Sequence, residues 1–204
     1  MRATQLIVMA KAPVPGQAKT RLAPALGADG AARLAATMLE HTIQQALGAQ
    51  LGDVVLACAP DTTHAAFAAQ ATRGGVRVVA QGNGDLGARM QRLIASALAG
   101  AHRAIVIGTD APALVETLLR RADAALAAPD IDAVFVPAVD GGYALVGLCQ
   151  PRPSLFHDMP WSTPQVMALT RERLAAADLR HTELPTVHDI DEPADLAHLP
   201  PGWL

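Results

Sequence analysis

The sequence is poor in the residue types that staple, coat or anchor a protein. Its two cysteines, Cys58 and Cys149, each close an apolar run that reads as a strand. Such cysteines read as small buried hydrophobes, not as a disulfide framework or a metal pair. Aromatic residues make up 3% of the chain, although 51% of it is hydrophobic, so the core is built from Ala, Leu and Val. Positive charge is not in excess: the net charge is −3 and the pI about 6.1. That excludes the basic face of a general nucleic-acid binder. No apolar run approaches membrane-spanning length and no charged-then-apolar signal segment opens the sequence, so the expectation is a cytoplasmic protein with no membrane partner. None of the seven histidines falls in a zinc spacing such as H-E-x-x-H, and no serine sits in a G-x-S-x-G elbow. Internal repeats, low-complexity tracts and long linkers are absent as well. The 204 residues, 1–204, are therefore expected to form one domain.

What is there is an alternation. Apolar runs at residues 4–10, 53–59, 76–80, 104–108, 133–137 and 142–148 read as strands. Between them, helical spacing predicts helices over 28–48, after Gly87 to a stop at Gly100, from Pro112, and over 165–176. Asp61 has the chemistry to cap a short helix through Phe67, a short run follows over 182–187, and Glu192-Pro193 opens a final helix. Strands alternating with helices predict an α/β fold with a mostly parallel sheet covered on both faces.

The polar sets follow strand ends, where such a sheet binds ligands. After the first strand comes Lys11-Ala-Pro-Val-Pro-Gly-Gln-Ala-Lys-Thr-Arg-Leu22, with three cations, Lys11, Lys19 and Arg21. Pro13 and Pro15 stiffen it and Gly16 permits close backbone approach, which suits a polyphosphate; the alternative is an ordinary surface loop. After the third strand, Gly84, Asp85 and Gly87 lie in a glycine-rich loop with Arg89 one turn into the next helix. That loop could contact a base or ribose, or simply turn and cap the helix through Asp85. After the fourth strand, Asp110 is poised to hold a divalent cation beside phosphate oxygens, or to cap the helix from Pro112. After the fifth, Asp140, Gly141, Gly142 and Tyr143 begin a hairpin and could seat a substrate against the backbone. Near the end, Asp189 and Asp191 fall on one side of an extended segment and offer two hard oxygen ligands for Mg²⁺ or Mn²⁺. Asp191 could instead cap the last helix.

In this order, the Lys11–Leu22 stretch, Gly84-Asp-Leu-Gly-Ala-Arg-Met90, Ile107-Gly-Thr-Asp-Ala-Pro112, Asp140-Gly-Gly-Tyr143 and Asp189-Ile-Asp-Glu-Pro193 resemble a family over nearly the whole chain. It is that of the small bacterial GT-A-fold transferases called glycosyltransferase A-like proteins, some of them linked to radical-SAM/selenodomain gene clusters or to arsenosugar biosynthesis. The pattern is similar, more distantly, to the 2-phospholactate guanylyltransferases and the molybdenum-cofactor nucleotidyltransferases. The resemblance implies a nucleotide-diphospho-sugar transferase fold: a three-layer α/β sandwich whose mostly parallel sheet carries an antiparallel strand. It implies an NTP or NDP-sugar donor with Mg²⁺ or Mn²⁺. Lys11, Lys19 and Arg21 would hold phosphates, Asp110 would be the first metal ligand, and Asp189 or Asp191 the second. Where the nucleotidyltransferases carry a Leu-Ala-Gly-Gly-type loop, this chain has Met9-Ala10-Lys11-Ala12-Pro13.

Three functions compete. The first is nucleotidyl transfer, in which a phosphate-bearing small acceptor attacks the α-phosphorus of an NTP while Lys19, Arg21 and the metal at Asp110 stabilise charge. The second is glycosyl transfer from an NDP-sugar. The third is a nucleotide-binding module without catalysis.

Overall fold

The computed structural model describes residues 2–203. Seven strands form one sheet: β1 (Arg2–Lys11), β2 (Gly52–Ala59), β3 (Val76–Ala80), β4 (Ala101–Ile107), β5 (Ala133–Pro137), β6 (Tyr143–Leu148) and β7 (His181–Glu183). Their order is β3-β2-β1-β4-β6-β5-β7. The first four are mutually parallel, with Val8 beside Leu56 on one flank and Ile107 on the other. Only β6 runs against its neighbours, β4 and β5, while β7 is parallel to β5. The central strands are apolar on both sides because both sides are covered; Leu6, Ile7 and Val8 are at most 1% exposed.

Five helices cover the sheet: α1 (Ala23–Gly48), α2 (Ala65–Ala71), α3 (Leu86–Leu98), α4 (Glu116–Leu126) and α5 (Val166–Ala176). On one face Leu39 and Ile43 of α1, Phe67 of α2 and Leu119 of α4 pack on Leu6, Val8 and Ile105. On the other, Ile94 of α3 and Met167 and Leu174 of α5 pack on Ile7, Val106 and Phe135. The result is the expected α/β sandwich with a mostly parallel sheet and one antiparallel strand. A third cluster matters more for the site. Leu22, Leu34 and Met38 close over Ile190, which is fully buried, and so pin the carboxyl-terminal segment to α1.

Several boundaries differ from the sequence reading, each for a local reason. α1 begins at Ala23, with Pro24 in its first turn, and kinks at Gly27, where φ is 71°. Asp61 does not cap α2: its carboxylate accepts from the Thr63 N–H and hydroxyl, and the His64 ring accepts from the Ala66 N–H at the cap position. Residues from Pro112 form a turn, and α4 starts only at Glu116, with Val115 at its cap. The last element, Pro193–His198, is a 3-10 helix rather than an α-helix.

Candidate active site

Because β1 to β5 end on the same edge and antiparallel β6 begins there, their loops converge. They enclose a cleft of about 860 Å³ lined by Lys11, Lys19, Arg21, Arg89, Asp110, Asp140, Gly142, Tyr143, Asp189 and Asp191.

In the loop after β1, the Val14 carbonyl accepts from the Gln17 and Ala18 N–H groups, a tight turn with Gly16 at φ 74°. Lys19 then adopts the left-handed region, φ 48° and ψ 43°, uncommon for a residue with a Cβ. Its ammonium is turned inward and its side chain is 7% exposed. It donates to the Ile190 carbonyl at 2.6 Å and to Asp191 Oδ1 at 2.8 Å, and it pairs with Asp110. Burial works against that charge, but Asp110 and Asp191 outweigh it and hold the Lys19 pKa above its ordinary value. The loop's cations thus divide. Lys19 is committed to carboxylates, whereas Lys11 is exposed and Arg21 is 63% exposed, no nearer to Glu192 than 3.9 Å.

The acidic wall comes from three places. Asp110 follows β4, and its carbonyl accepts from the Ile190 N–H at 2.8 Å, tying the carboxyl-terminal segment to that strand end. With α4 starting at Glu116, Asp110 is not its cap. Nor does Asp191 cap the last helix. Glu192 stands there, and Asp195 reaches back to accept from the N–H groups of Asp191 and Glu192. Buried Ile190 leaves Asp189 and Asp191 on the cleft side, as strand alternation requires. Asp140, after β5, accepts from the Gly142 N–H at 2.8 Å.

Asp189 records the crowding. Burial first, then Asp140, Asp191 and Asp110, raise its pKa from 3.8 to about 6. The folded protein therefore holds this proton more tightly than the unfolded chain. The stability it contributes is complete below 3.8 and is lost as pH rises through about 6. Asp189→Asn is accordingly expected to melt higher than wild type at about pH 8 in EDTA, with the gap closing towards about pH 4. An equal gap at both pH values, read by thermal denaturation, would count against the crowding.

Asp110 and Asp191 on the Lys19 ammonium, with Asp189 and the more exposed Asp140 lining the same cleft, offer hard oxygens with surplus negative charge, which fits Mg²⁺ or Mn²⁺. Among the described residues no three His, Cys, Asp or Glu side chains close into a ready cage. An open set of one or two carboxylates is what Mg²⁺ uses when phosphates complete its shell.

The glycine-rich loop after β3 is largely structural. Asp85 caps α3 by accepting from the Ala88 N–H, and Gly84, Asp85 and Gly87 do not line the cleft. Buried Gln81 donates to the Ala10 and Ala57 carbonyls and accepts from Arg89, holding that guanidinium at the cleft. Arg92 grips the loop through the Gln81 and Asn83 carbonyls. Gly87 serves another purpose: a Cβ there would come within 2.5 Å of the Phe156 carbonyl and 3.0 Å of the Trp161 indole nitrogen. Gly141, at φ 91°, is likewise covered by the Pro164 backbone and accepts from the Met167 N–H. These two glycines seat the segment that places Trp161, Ser162 and Thr163 in the cleft. Sequence reading passed over that segment. The available signal was a tryptophan bracketed by Pro160 and Pro164 in a chain with few aromatics.

The family described as "Uncharacterized protein conserved in bacteria (DUF2064)" matches residues 42–163. No curated protein matches the sequence. Among solved structures, a protein from Desulfovibrio desulfuricans assigned as a nucleotide-diphospho-sugar transferase is 30% identical, with a TM-score of 0.85 over 94% of this chain and 84% of that one. A nucleotidyl transferase from Methanothermobacter thermautotroptrophicus shares the fold at 16% identity and TM-score 0.66, over 97% of this chain and 96% of that one. A mannosyltransferase from Pyrobaculum calidifontis, in complex with GDP-Man and Mn²⁺, shares it at 14% identity and TM-score 0.58, over 93% of this chain and 56% of that one.

Proposed function

We propose that this chain, which belongs to the DUF2064 family, is a metal-dependent transferase that takes a nucleotide donor and moves a nucleotidyl group from an NTP to a small acceptor. The observation that carries this reading is the cleft itself. The exposed cations Lys11, at the end of β1, and Arg21, in the loop after it, line the same cleft as the carboxylates, and its volume has room for a nucleotide. Free Cys58 and Cys149 suit a reducing cytoplasm. No helix among the described residues is long and apolar enough to cross a membrane.

Lys11 and Arg21 bind and orient the phosphates, Arg89 contacts the base or ribose end, and Asp110 with Asp189 or Asp191 would hold the divalent cation. When bound, that cation supplies charge neutralisation at the phosphoryl oxygens. A phosphate oxygen of the acceptor, already ionised at neutral pH and so with no proton to lose, forms a bond to the α-phosphorus. The bridge to the β-phosphate breaks, and pyrophosphate leaves with the electron pair. A second reading, glycosyl transfer, is favoured by the 30% identical relative assigned as a nucleotide-diphospho-sugar transferase. There the acceptor oxygen would attack the anomeric carbon and an NDP would leave.

Arg21→Ala is expected to weaken nucleotide binding roughly tenfold to hundredfold, the worth of a charge-assisted hydrogen bond of about 1.5–3 kcal/mol. Its melting temperature should stay put, because the side chain is 63% exposed. Calorimetric titration showing unaltered affinity would reduce the segment to a surface loop. Turnover separates the reactions. Pyrophosphate release from an NTP supports the first, and NDP release from a nucleotide sugar supports the second. Nucleotide binding with neither product would leave a binding module.

A further inference from the structure

The carboxylates of the proposed cation site come from two stretches far apart in sequence. Asp110 follows β4, and Asp189 and Asp191 belong to the carboxyl-terminal segment. Side chains that share one cation must be held at fixed separations, so the two stretches have to be fixed against each other. They meet where the Ile190 N–H reaches the Asp110 carbonyl and where Lys19 bridges Asp110 and Asp191. A further joint lies outside the cleft, on α1.

His41 makes that joint. It lies at helical spacing from Leu34 and Met38, on the stripe of α1 that covers Ile190. Its Nε2 stands 3.0 Å from the Pro112 carbonyl. A carbonyl only accepts, so Nε2 carries the proton and donates. The same ring meets Trp203 edge to face, with centroids 4.9 Å apart and planes at 71°. Pro112 is buried, two residues beyond Asp110, in a turn whose backbone bonds use the Ala111 and Ala113 carbonyls; His41 takes the carbonyl between them. Trp203 follows Asp191 by way of the 3-10 helix and a turn at Gly202, where φ is 82°. With Leu196 and Leu199 it packs against the cluster around Ile190.

These contacts close a circuit through the fold. From His41 the path runs to Pro112, back to the Asp110 carbonyl, across to Ile190, along the segment to Trp203, and onto His41 again. His41 grips both acid-bearing stretches and does not itself line the cleft.

We propose that His41 is a positioning residue for the cation site: from α1 it holds the strand end at Asp110 and the segment of Asp189 and Asp191 at the separation a divalent cation requires. The inference rests on the transferase reading, in which those carboxylates hold the cation. The imidazole is suited to the task because it is rigid and offers a donor and an aromatic ring at once.

Two readouts on the full chain test it, neither of them turnover. The first is amide hydrogen exchange at Ile190, whose N–H joins the two stretches. His41→Ala should speed it about fivefold or more, with the amides of Leu56 and Ile105 in the sheet changing less. The second is Mn²⁺ affinity, read from the EPR signal of free Mn²⁺, with the α,β-methylene analogues of the four NTPs, UDP-glucose or GDP-mannose present. His41→Ala should weaken it about three- to tenfold. Residues that hydrogen-bond a metal ligand directly cost roughly tenfold to hundredfold, and His41 acts one step further out. His41→Gln keeps the donor without the ring and should recover part of both effects. Trp203→Ala should resemble His41→Ala and serves if that variant does not fold. The double variant should lose less than the two losses combined.

Exchange at Ile190 that is unaltered, or that rises equally throughout the sheet as plain loss of stability would make it, overturns the proposal. So does undiminished Mn²⁺ affinity in a variant whose Ile190 exchange has quickened, or strict additivity of the two substitutions. Wild type that takes up no Mn²⁺ with any of these nucleotides sinks the transferase reading and this inference with it. Wild-type uptake that the substitutions leave unmoved sinks the inference alone.

Discussion

Asp110→Asn is expected to abolish divalent-cation-dependent nucleotide binding while leaving the protein folded. Asn presents an oxygen of the same shape but not the negative charge that a hard cation requires. Helix capping cannot account for Asp110, because Ala111–Val115 separates it from the first residue of α4. Its backbone carbonyl, which the substitution keeps, still accepts from Ile190. The substitution relieves one weak repulsion on Asp189 but also takes from the buried Lys19 ammonium its main carboxylate partner, so a modest loss of stability is expected, with Asp191 and the Ile190 carbonyl still holding Lys19. The expected loss in NTP affinity with Mg²⁺ is at least about a hundredfold, the upper end for damage to a metal's supporting ligands. Affinity in EDTA should be unchanged. Titration of wild type and variant in both conditions decides it, and wild-type metal dependence in the variant would remove Asp110 from the mechanism.

Lys19→Met should have the second large effect, on the resting protein. Lys19 joins the loop after β1 to both acidic segments, through Asp110, the Ile190 carbonyl and Asp191. Breaking a fully buried ion pair costs about 3–5 kcal/mol. Here Asp110 and Asp191 are 49% and 41% exposed, so water relieves part of the loss. A fall of about 1–3 kcal/mol is expected. Because the ammonium is the cation the carboxylates now face, Mn²⁺ alone should raise the melting temperature of Lys19→Met more than that of wild type. Equal Mn²⁺ shifts, or an undiminished melting temperature, would show that Lys19 does not hold the acidic segments together.

The architecture was readable because its signals are local. The runs at 104–108 and 133–137 are too apolar to be anything but covered strands, and the turn at Asp140-Gly141 announces the reversal into β6. The polar sets then had to gather at one sheet edge. What could not be read depends on residues distant in sequence. Two of the three partners of Lys19, the Ile190 carbonyl and Asp191, lie 171 and 172 positions away, and the third, Asp110, follows another strand, so a lysine that looks free for phosphate is in the structure bound to carboxylates. Capping rules misled in the same way. His64 takes the cap role through a ring nitrogen, and Pro112 is as content in a turn as in a first helical turn. For the glycines after β3 and β5 the sequence left ligand contact and turn geometry both open; that Gly87 and Gly141 admit the Trp161 segment is something only packing reveals.

The central claim is that one cleft holds the donor's phosphates against the β1–α1 loop and its cation against the acidic wall. A crystal grown with Mn²⁺ and a non-hydrolysable NTP, with the anomalous signal of manganese recorded, tests this directly. The account predicts a manganese peak at Asp110 with Asp189 or Asp191, the triphosphate along Lys11 and Arg21, and the Lys19 ammonium shifted from between the carboxylates. Nucleotide bound outside the cleft, or bound within it with no manganese and Lys19 still joined to Asp110 and Asp191, would contradict it.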